Sequence, residues 1–583
     1  MILAALFAWS ASAAATPMTI AAVPVEQLHG RGAAVPFAEY EAETARFDGT
    51  PIGPSRRLSD IAAEASGRRA VRLDRIGQFV EFTLARPANA VTVRYAIPDS
   101  PSGSGRDSTI GVYVGQERVA SLQLTSRYGW FYGRYPFSNR PSDGAAHHFF
   151  DEARQLLPRT LAAGTRVRLQ VDGSDPAPWT VIDLADFEQV AAPRPAPEGA
   201  LDLTRFGGDP TGRLDSTRAL EAAIRAGQRT GRPVWIGRGT FRVDSHVIVD
   251  RVTVAGAGPW YSILKGRGCG LYGKPARHGS AGVHLSGFAI IGDVRERVDR
   301  ARLAAIGGSI GGGSTIRDLW IQHHKTGIWL DGPLDGITIE NARIVDNSAD
   351  GLNLAGGAAN ATIRDVFVRN SGDDGIALWS RRSADRKVTI ANDTVIAPVL
   401  ANGIAVYGGH DIVVANNLVA DTLTEGGGIH LANRFHAVPL SGRIEVHGNL
   451  LVRTGSYDPH WRFGIGAVWL YALDAPIDAA IELDDNELVD TTLPALQFLG
   501  ESIAEVQVHG LDIEGAYDWL QVQSAGSARF AGVRARGLDE AGYGRCNASF
   551  RATFANVDPA LTKGEAGLCG ALDPAVVDQR LSR

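Results

Sequence analysis

Three aspartates in a repeated motif carry the chemistry available to this chain. Asp346-Asn347-Ser348-Ala349-Asp350-Gly351-Leu352-Asn353-Leu354 is echoed by Arg369-Asn370-Ser371-Gly372-Asp373-Asp374-Gly375-Ile376-Ala377-Leu378. Each copy is Asn-Ser, a short gap, Asp-Gly and an alternating apolar strand, and Gly351 and Gly375 lie 24 residues apart. The second copy has one extra residue, Asp373. If the copies stack, three carboxyls meet. Carboxyls that close repel, so at least one keeps its proton to higher pH than a free aspartate. One protonated and one ionised carboxyl is what hydrolysis of a glycosidic bond needs. Asp-Gly alone is also an ordinary turn, because Asp tolerates the left-handed region. A turn accounts for Asp350 or Asp374 singly but not for the inserted Asp373.

The elements that must position these residues form a repeat. Short β-rich segments recur at Thr315 to Ile321, Ile337 to Ile344, Thr362 to Val368, Val388 to Val395 and Ile412 to Val419, and continue at Ile444 to Leu451 and Ile481 to Val489. A second set begins at Gly327, Gly351, Gly375, Gly403 and Gly428, spaced 24, 24, 28 and 25 residues apart. That period, with short strands and Asn or Asp at the corners, predicts a parallel β-helix. Leucine-rich repeats share the period, but the helical half of each repeat is missing. Ile328, Leu352, Ile376, Ile404 and Ile429 should form an inward ladder, with coils about 4.8 Å apart. Trp329, Asn353, Ala377, Ala405 and His430 should face outward. The alanines would leave room for a sugar ring, Trp379 and Tyr407 would wall a groove, and Trp329, Asn353 and His430 would help bind substrate.

At 583 residues the chain exceeds one compact core. Seven segments between about Ala34 and Val190, from Val71–Leu73 to Thr180–Phe187, read as short strands with turn signals, which predicts a β-sandwich over 34–190. An aromatic insertion, Tyr128 to Phe137 with His147 to Phe150, would pack against the next domain or stack on sugars, with packing favoured. The proline-rich stretch 191–199 marks a stiff linker, and 200–583 is assigned to the β-helix. Asp215 is read as an N-cap, with Leu220, Ala223 and Ile224 on the buried face of a helix. The formal charge of -6 gives no reason to expect nucleic acid or an anionic membrane as partner. Residues 1–15, an apolar run followed by small residues, fit a secretory signal, so a secreted protein, periplasmic or extracellular, is expected. No later run is apolar enough for a membrane span. Cys546 and Cys569 could pair in such a compartment, and Cys269 reads as a buried apolar residue.

Three resemblances add to this. Tyr40 to Glu43, Gly77 to Phe82, Val91 to Tyr95 and Ile182 to Phe187 resemble carbohydrate-binding β-sandwich modules with a structural calcium, which implies Glu41, Glu43 and Asp183 as ligands for Ca2+. An exposed acidic strand edge explains the same residues. Leu203 to Val243 resembles the opening of pectate-lyase-like right-handed β-helices, capped by an N-terminal helix. Asp350-Gly351 followed by Gly372-Asp373-Asp374-Gly375, behind a sandwich, is similar to the bacterial family of α-1,3-glucanases and mycodextranases. That likeness covers most of the chain from about Ala34. It implies an all-β protein, a right-handed parallel β-helix after a β-sandwich, that acts on an α-glucan polysaccharide as a monomer and needs no cofactor for catalysis. It further implies inversion of the anomeric carbon, with Asp374 as general acid and Asp373 and Asp350 positioning and deprotonating water. A polygalacturonase would need a downstream His-Gly and an Arg-x-Lys, which are missing; Gly408-Gly409-His410-Asp411 lacks the cationic partner. A lyase would need calcium and a base, for which Arg381 and Arg382 are candidates. A non-catalytic glycan-binding protein is the alternative from another class.

Overall fold

The computed structural model describes residues 30–135, 137–566 and 574–582. The expected signal segment, 1–15, lies outside the described residues. Two antiparallel sheets form the N-terminal sandwich, and a long parallel solenoid follows. All seven expected sandwich strands are present, packed around Val71, Phe82, Val93, Ile110, Val167, Leu169 and Ile182. One long strand, Asp151–Leu161, had no sequence signal. It is polar and contains Pro158, and it lies at a sheet edge, where a missing N–H costs no ladder bond.

The solenoid is walled by a 13-stranded sheet and a 24-stranded sheet. Coil follows coil in register: Leu352 pairs with Ile376, Ile376 with Ile404, and Ile404 with Ile429. These side chains are fully buried and form the inward ladder the period predicts. At one corner Asp318, Asn341, Asp365, Asn392 and Asn416 all have φ near +50°; at another Asp346 and Asn370 do. Short polar side chains suit that left-handed backbone. Helix Thr217–Thr230 caps the N-terminal end of the solenoid, burying Leu220, Ala223 and Ile224. Its N-cap position is Ser216, yet Asp215 Oδ1 accepts the Thr217 amide at 3.0 Å, so Asp215 does the capping from one residue earlier.

The two parts are joined by a buried polar interface. Arg369 of the solenoid, 1% exposed, binds Glu39, Glu152 and Asp186 of the sandwich at 2.8, 2.6 and 2.7 Å. Next to it Asn370 donates to the Phe150 carbonyl at 3.0 Å. Tyr128 stacks on His323 at 3.6 Å, and Arg68 donates to the Thr422 carbonyl at 2.7 Å. The aromatic insertion thus packs between the two parts. Even the proline-rich segment is held down: the Arg194 amide donates to Ala257 O at 2.9 Å, and Tyr261 donates to Ala191 O at 2.8 Å. Arg369 and Asn370 open the second copy of the motif, so the docked sandwich clamps the loop that carries the aspartates.

Candidate active site

Asp350 and Asp374 hold equivalent places on adjacent coils: the Gly351 amide donates to Asp374 O at 3.0 Å. Neither aspartate has a positive φ, and neither do the glycines that follow. The left-handed residues are Asp346 and Asn370, four residues earlier in each copy. Gly351 is required by stacking instead, because a Cβ there would sit 2.6 Å from Gly375 O. A turn therefore explains neither carboxyl. Gly372 is pinned likewise, since its Cβ would meet Ser348 O at 2.4 Å. With Gly372 pinned against that coil, Asp373 stands more open than the buried Asp350 and Asp374.

The three carboxyls each bring an oxygen within 4.8 Å of the others, but their surroundings differ. Asp350 is buried and accepts one hydrogen bond, from Asn353 Nδ2 at 3.1 Å. Burial, then the charges of Asp373 and Asp374, raise its pKa well above the usual carboxylate range. Asp374 has three donors: the Asn402 amide and Nδ2 on Oδ1 at 2.8 and 2.9 Å, and the Tyr407 hydroxyl on Oδ2 at 2.9 Å. Burial and then Asp373 push it up to about 7, against those donors. Asp373 is salt-bridged by Arg297, whose Nη1 also donates to Gly372 O at 3.2 Å, and its Oδ1 accepts the Asp374 amide at 3.0 Å. The site thus holds two carboxyls that favour a proton and one facing a fixed cation, the split that acid–base work needs.

Several residues here had no sequence signal. Arg297 comes from the loop between Ile291 and Ala304 and binds Asp299 at 2.9 Å; the Tyr135 ring of the sandwich lies 5.0 Å from its guanidinium. Lys325 donates to Asp299 O at 2.8 Å; burial lowers its pKa, against the charges of Asp299 and Asp350. Asn402 is fixed by Trp469, whose Nε1 donates to Asn402 Oδ1 at 2.8 Å.

Of the expected substrate-binding residues, Trp329 and Trp379 stay half-buried, edge to face at 6.4 Å. The others are corrected. His430 is fully buried, stacked on Trp469 at 3.6 Å, so it cannot meet a sugar. Tyr407 is buried and holds Asp374 instead of walling a groove, and Asn353 holds Asp350. Ala377 and Ala405 leave no open space, because they are covered within a cluster of Tyr407, Ala432, Ala437, Trp379 and Tyr471. Arg381 lies over the Trp379 ring at 5.0 Å.

The expected calcium set narrows. Glu41 and Glu43 are covered, and Glu41 Oε2 and both Glu43 oxygens have no hydrogen-bond partner, which fits a hard cation. Burial first, then neighbouring carboxylates, raises Glu41 well above the usual range and Glu43 to about 8. Asp183 does not fit. It is held by Arg94 and the Ser66 amide, and no cluster of converging oxygens among the described residues includes the three. Cys269 is buried and free, whereas Cys546 is disulfide-bonded; Cys569 lies outside the described residues. No helix of the described residues is long and apolar enough to cross a membrane.

Comparison with known proteins supports this architecture. A family model described as "Alpha-1,3-glucanase catalytic domain D1" matches residues 34–190, and "Alpha-1,3-glucanase catalytic domain D2" matches 213–437. The catalytic unit of a thermostable GH87 α-1,3-glucanase from Streptomyces thermodiastaticus strain HF3-3 is 40% identical, with a TM-score of 0.83 over 90% of this chain and 97% of that one. The Agl-KA catalytic domain is 24% identical, with a TM-score of 0.83 over 93% of this chain and 100% of that one. A GH87 α-1,3-glucanase catalytic domain in complex with nigerose is 24% identical, with a TM-score of 0.77 over 91% and 99%. The last two bear on the fold. No curated protein matches this chain.

Proposed function

This chain belongs to the GH87 family of α-1,3-glucanases, and from that premise we propose that it hydrolyses α-1,3-glucosidic bonds of an α-glucan with inversion, using three aspartates. One observation carries the assignment: Asp350, Asp373 and Asp374 meet on adjacent coils in three different environments. Asp374 is the general acid. Its pKa of about 7 lets it hold a proton near neutrality, and three donors stabilise the carboxylate left after transfer. Its proton goes to the glycosidic oxygen as the bond from C1 to that oxygen breaks. Asp373, facing Arg297, takes a proton from the water whose oxygen attacks C1, and Asp350 holds that water beside it.

The oxygens approach closer than the ~6.5–9.5 Å usual between acid and base in inverting enzymes. That approach is between one oxygen of each carboxyl, whereas the rule describes the separation of the carboxyl groups that donate the proton and hold the water. Variants of a GH87 α-1,3-glucanase catalytic domain solved with nigerose or tetrasaccharides each change one of three aspartates. Two of the three are consecutive and the other lies 23 positions before them, the spacing of Asp350, Asp373 and Asp374 here. The disulfide at Cys546 favours an oxidising compartment and so export. Glu41 and Glu43 are the residues that would hold a structural calcium.

The test is sugar release from α-1,3-glucan and from nigeran by wild type and Asp374→Asn. The variant should lose about 10²–10⁴-fold on the polymer that wild type cleaves. Equal release by both proteins would end the assignment.

A further inference from the structure

We propose that the hairpin of Ser456–Asp458 and Phe463–Ile465, with Trp461 at its tip and Arg434 and Phe435 beside it, is a binding platform for glucose units of the α-glucan beyond those at the cleavage point. The proposal rests on the hydrolase reading above and adds where the rest of the chain is held. The hairpin interrupts the repeat. Strand Ile429–Asn433 pairs directly with Val468–Ala472 of the next coil, so residues 456–465 are an excursion that coil stacking does not use. Its strands are antiparallel, whereas the long solenoid sheets are built from parallel pairs.

The excursion presents an aromatic ring to solvent. Trp461 is 52% exposed and Phe435 47%. Among the described residues only one other aromatic ring is as open, Tyr135, which backs Arg297 in the active site. Phe435 and Tyr135 each border a residue that holds an aspartate, Tyr407 and Arg297, and Trp461 is joined to Phe435 through Arg434. Contacts connect it to the chemistry. The Arg434 guanidinium lies 4.4 Å from the Phe435 ring, 5.7 Å from Trp461 and 5.7 Å from Tyr471. Phe435 meets Tyr407 at 5.1 Å, and Tyr407 donates to Asp374.

The chemistry fits a neutral pyranose chain. Flat aromatic faces accept the C–H faces of sugar rings, and a guanidinium held among rings offers several N–H donors to hydroxyls. Arg434 makes no ion pair among the described residues, so those donors are not committed to a carboxylate. The tip is also fixed in advance. Buried Asp458 accepts the His460 and Trp461 amides on Oδ1 at 2.7 and 2.9 Å, so little order need be gained on binding.

The experiment measures kcat/KM on α-1,3-linked glucose oligosaccharides from two to seven units, for wild type, Trp461→Ala and Trp461→Phe. Wild type should gain rate with length. In Trp461→Ala the ratio of long to short substrates should fall about fivefold, roughly one stacking contact, and Trp461→Phe should restore most of it. If wild type cleaves these substrates and the ratio is unchanged in Trp461→Ala, including after an equal loss at every length, the platform alone is overturned. If wild type cleaves none of them, the hydrolase reading falls and takes the platform with it.

Discussion

Tyr407→Phe isolates the proposed acid by one atom. The hydroxyl donates to Asp374 Oδ2 at 2.9 Å, and the ring is otherwise held edge-on by His430 at 5.5 Å and Phe435 at 5.1 Å. Phenylalanine keeps that packing and removes the hydroxyl, which donates to Asp374 and also accepts from Asn402 Nδ2 at 3.3 Å, a residue that keeps its own shorter bonds to Asp374. A hydrogen bond to a charged group contributes about 1.5–3 kcal/mol and one to a neutral group about 0.5–1.5 kcal/mol. The ionised carboxylate therefore loses about 1–1.5 kcal/mol more than the protonated one, which raises the pKa of Asp374 by about one unit. An acid works only while protonated, so activity falls as pH rises through its pKa. The alkaline limb of kcat/KM should then move from about 7 in wild type to about 8 in the variant. At lower pH the variant should be slower by up to about tenfold, because the carboxylate left after proton transfer has one donor fewer. The assay is a pH series on a soluble α-1,3-linked oligosaccharide. A limb that stays in place or moves to lower pH would mean that Asp374 is not the group titrating there.

Arg297→Gln removes the cation that pairs with Asp373 and donates to Gly372 O. The kcat should drop by about 10²-fold; an unchanged kcat would remove Arg297 from the catalytic machinery. Arg369→Met leaves Glu39, Glu152 and Asp186 buried without their cation. Such a loss costs about 3–5 kcal/mol, so a lower unfolding temperature or insoluble protein is expected, and an unchanged melting curve would contradict the clamp. Calcium at millimolar concentration should raise the unfolding temperature of EDTA-treated protein by several degrees through binding to the folded state. Glu43→Gln should lose that response, and matching curves with calcium and EDTA in wild type would remove the site.

The fold was legible because its signal is periodic. Glycines 24 to 28 residues apart and an apolar residue after each are enough to place Ile328, Leu352 and Ile376 in one ladder. The same reasoning brought Asp350, Asp373 and Asp374 together, since equivalent positions in stacked coils must be neighbours. The ordinary turn it allowed for Asp350 and Asp374 is absent, because the left-handed residues are Asp346 and Asn370 and Gly351 is set by close approach of the next coil. Contacts between distant segments left no local trace. Arg297 reaches Asp373 from 76 residues earlier. Trp469 covers His430 from the next coil, across the hairpin excursion. Alternation placed His430 and Ala405 on the outward side, but outward is not exposed when large side chains of neighbouring strands and loops, Trp469 and Tyr407 with Ala437, cover that face. The calcium set was read from two strands that do pair, Phe37–Glu41 with Thr180–Glu188. Arg94, on the strand beside them, claims Asp183.

If three aspartates divide the acid and base roles as proposed, water attacks C1 directly. Proton NMR of the first minutes of α-1,3-glucan or oligosaccharide digestion reads the anomer before mutarotation. Direct attack predicts that the newly formed reducing end appears as the β-anomer. A product that first appears as the α-anomer would require a covalent glycosyl-enzyme, with one of the three aspartates as nucleophile, and would contradict the roles assigned to Asp350, Asp373 and Asp374.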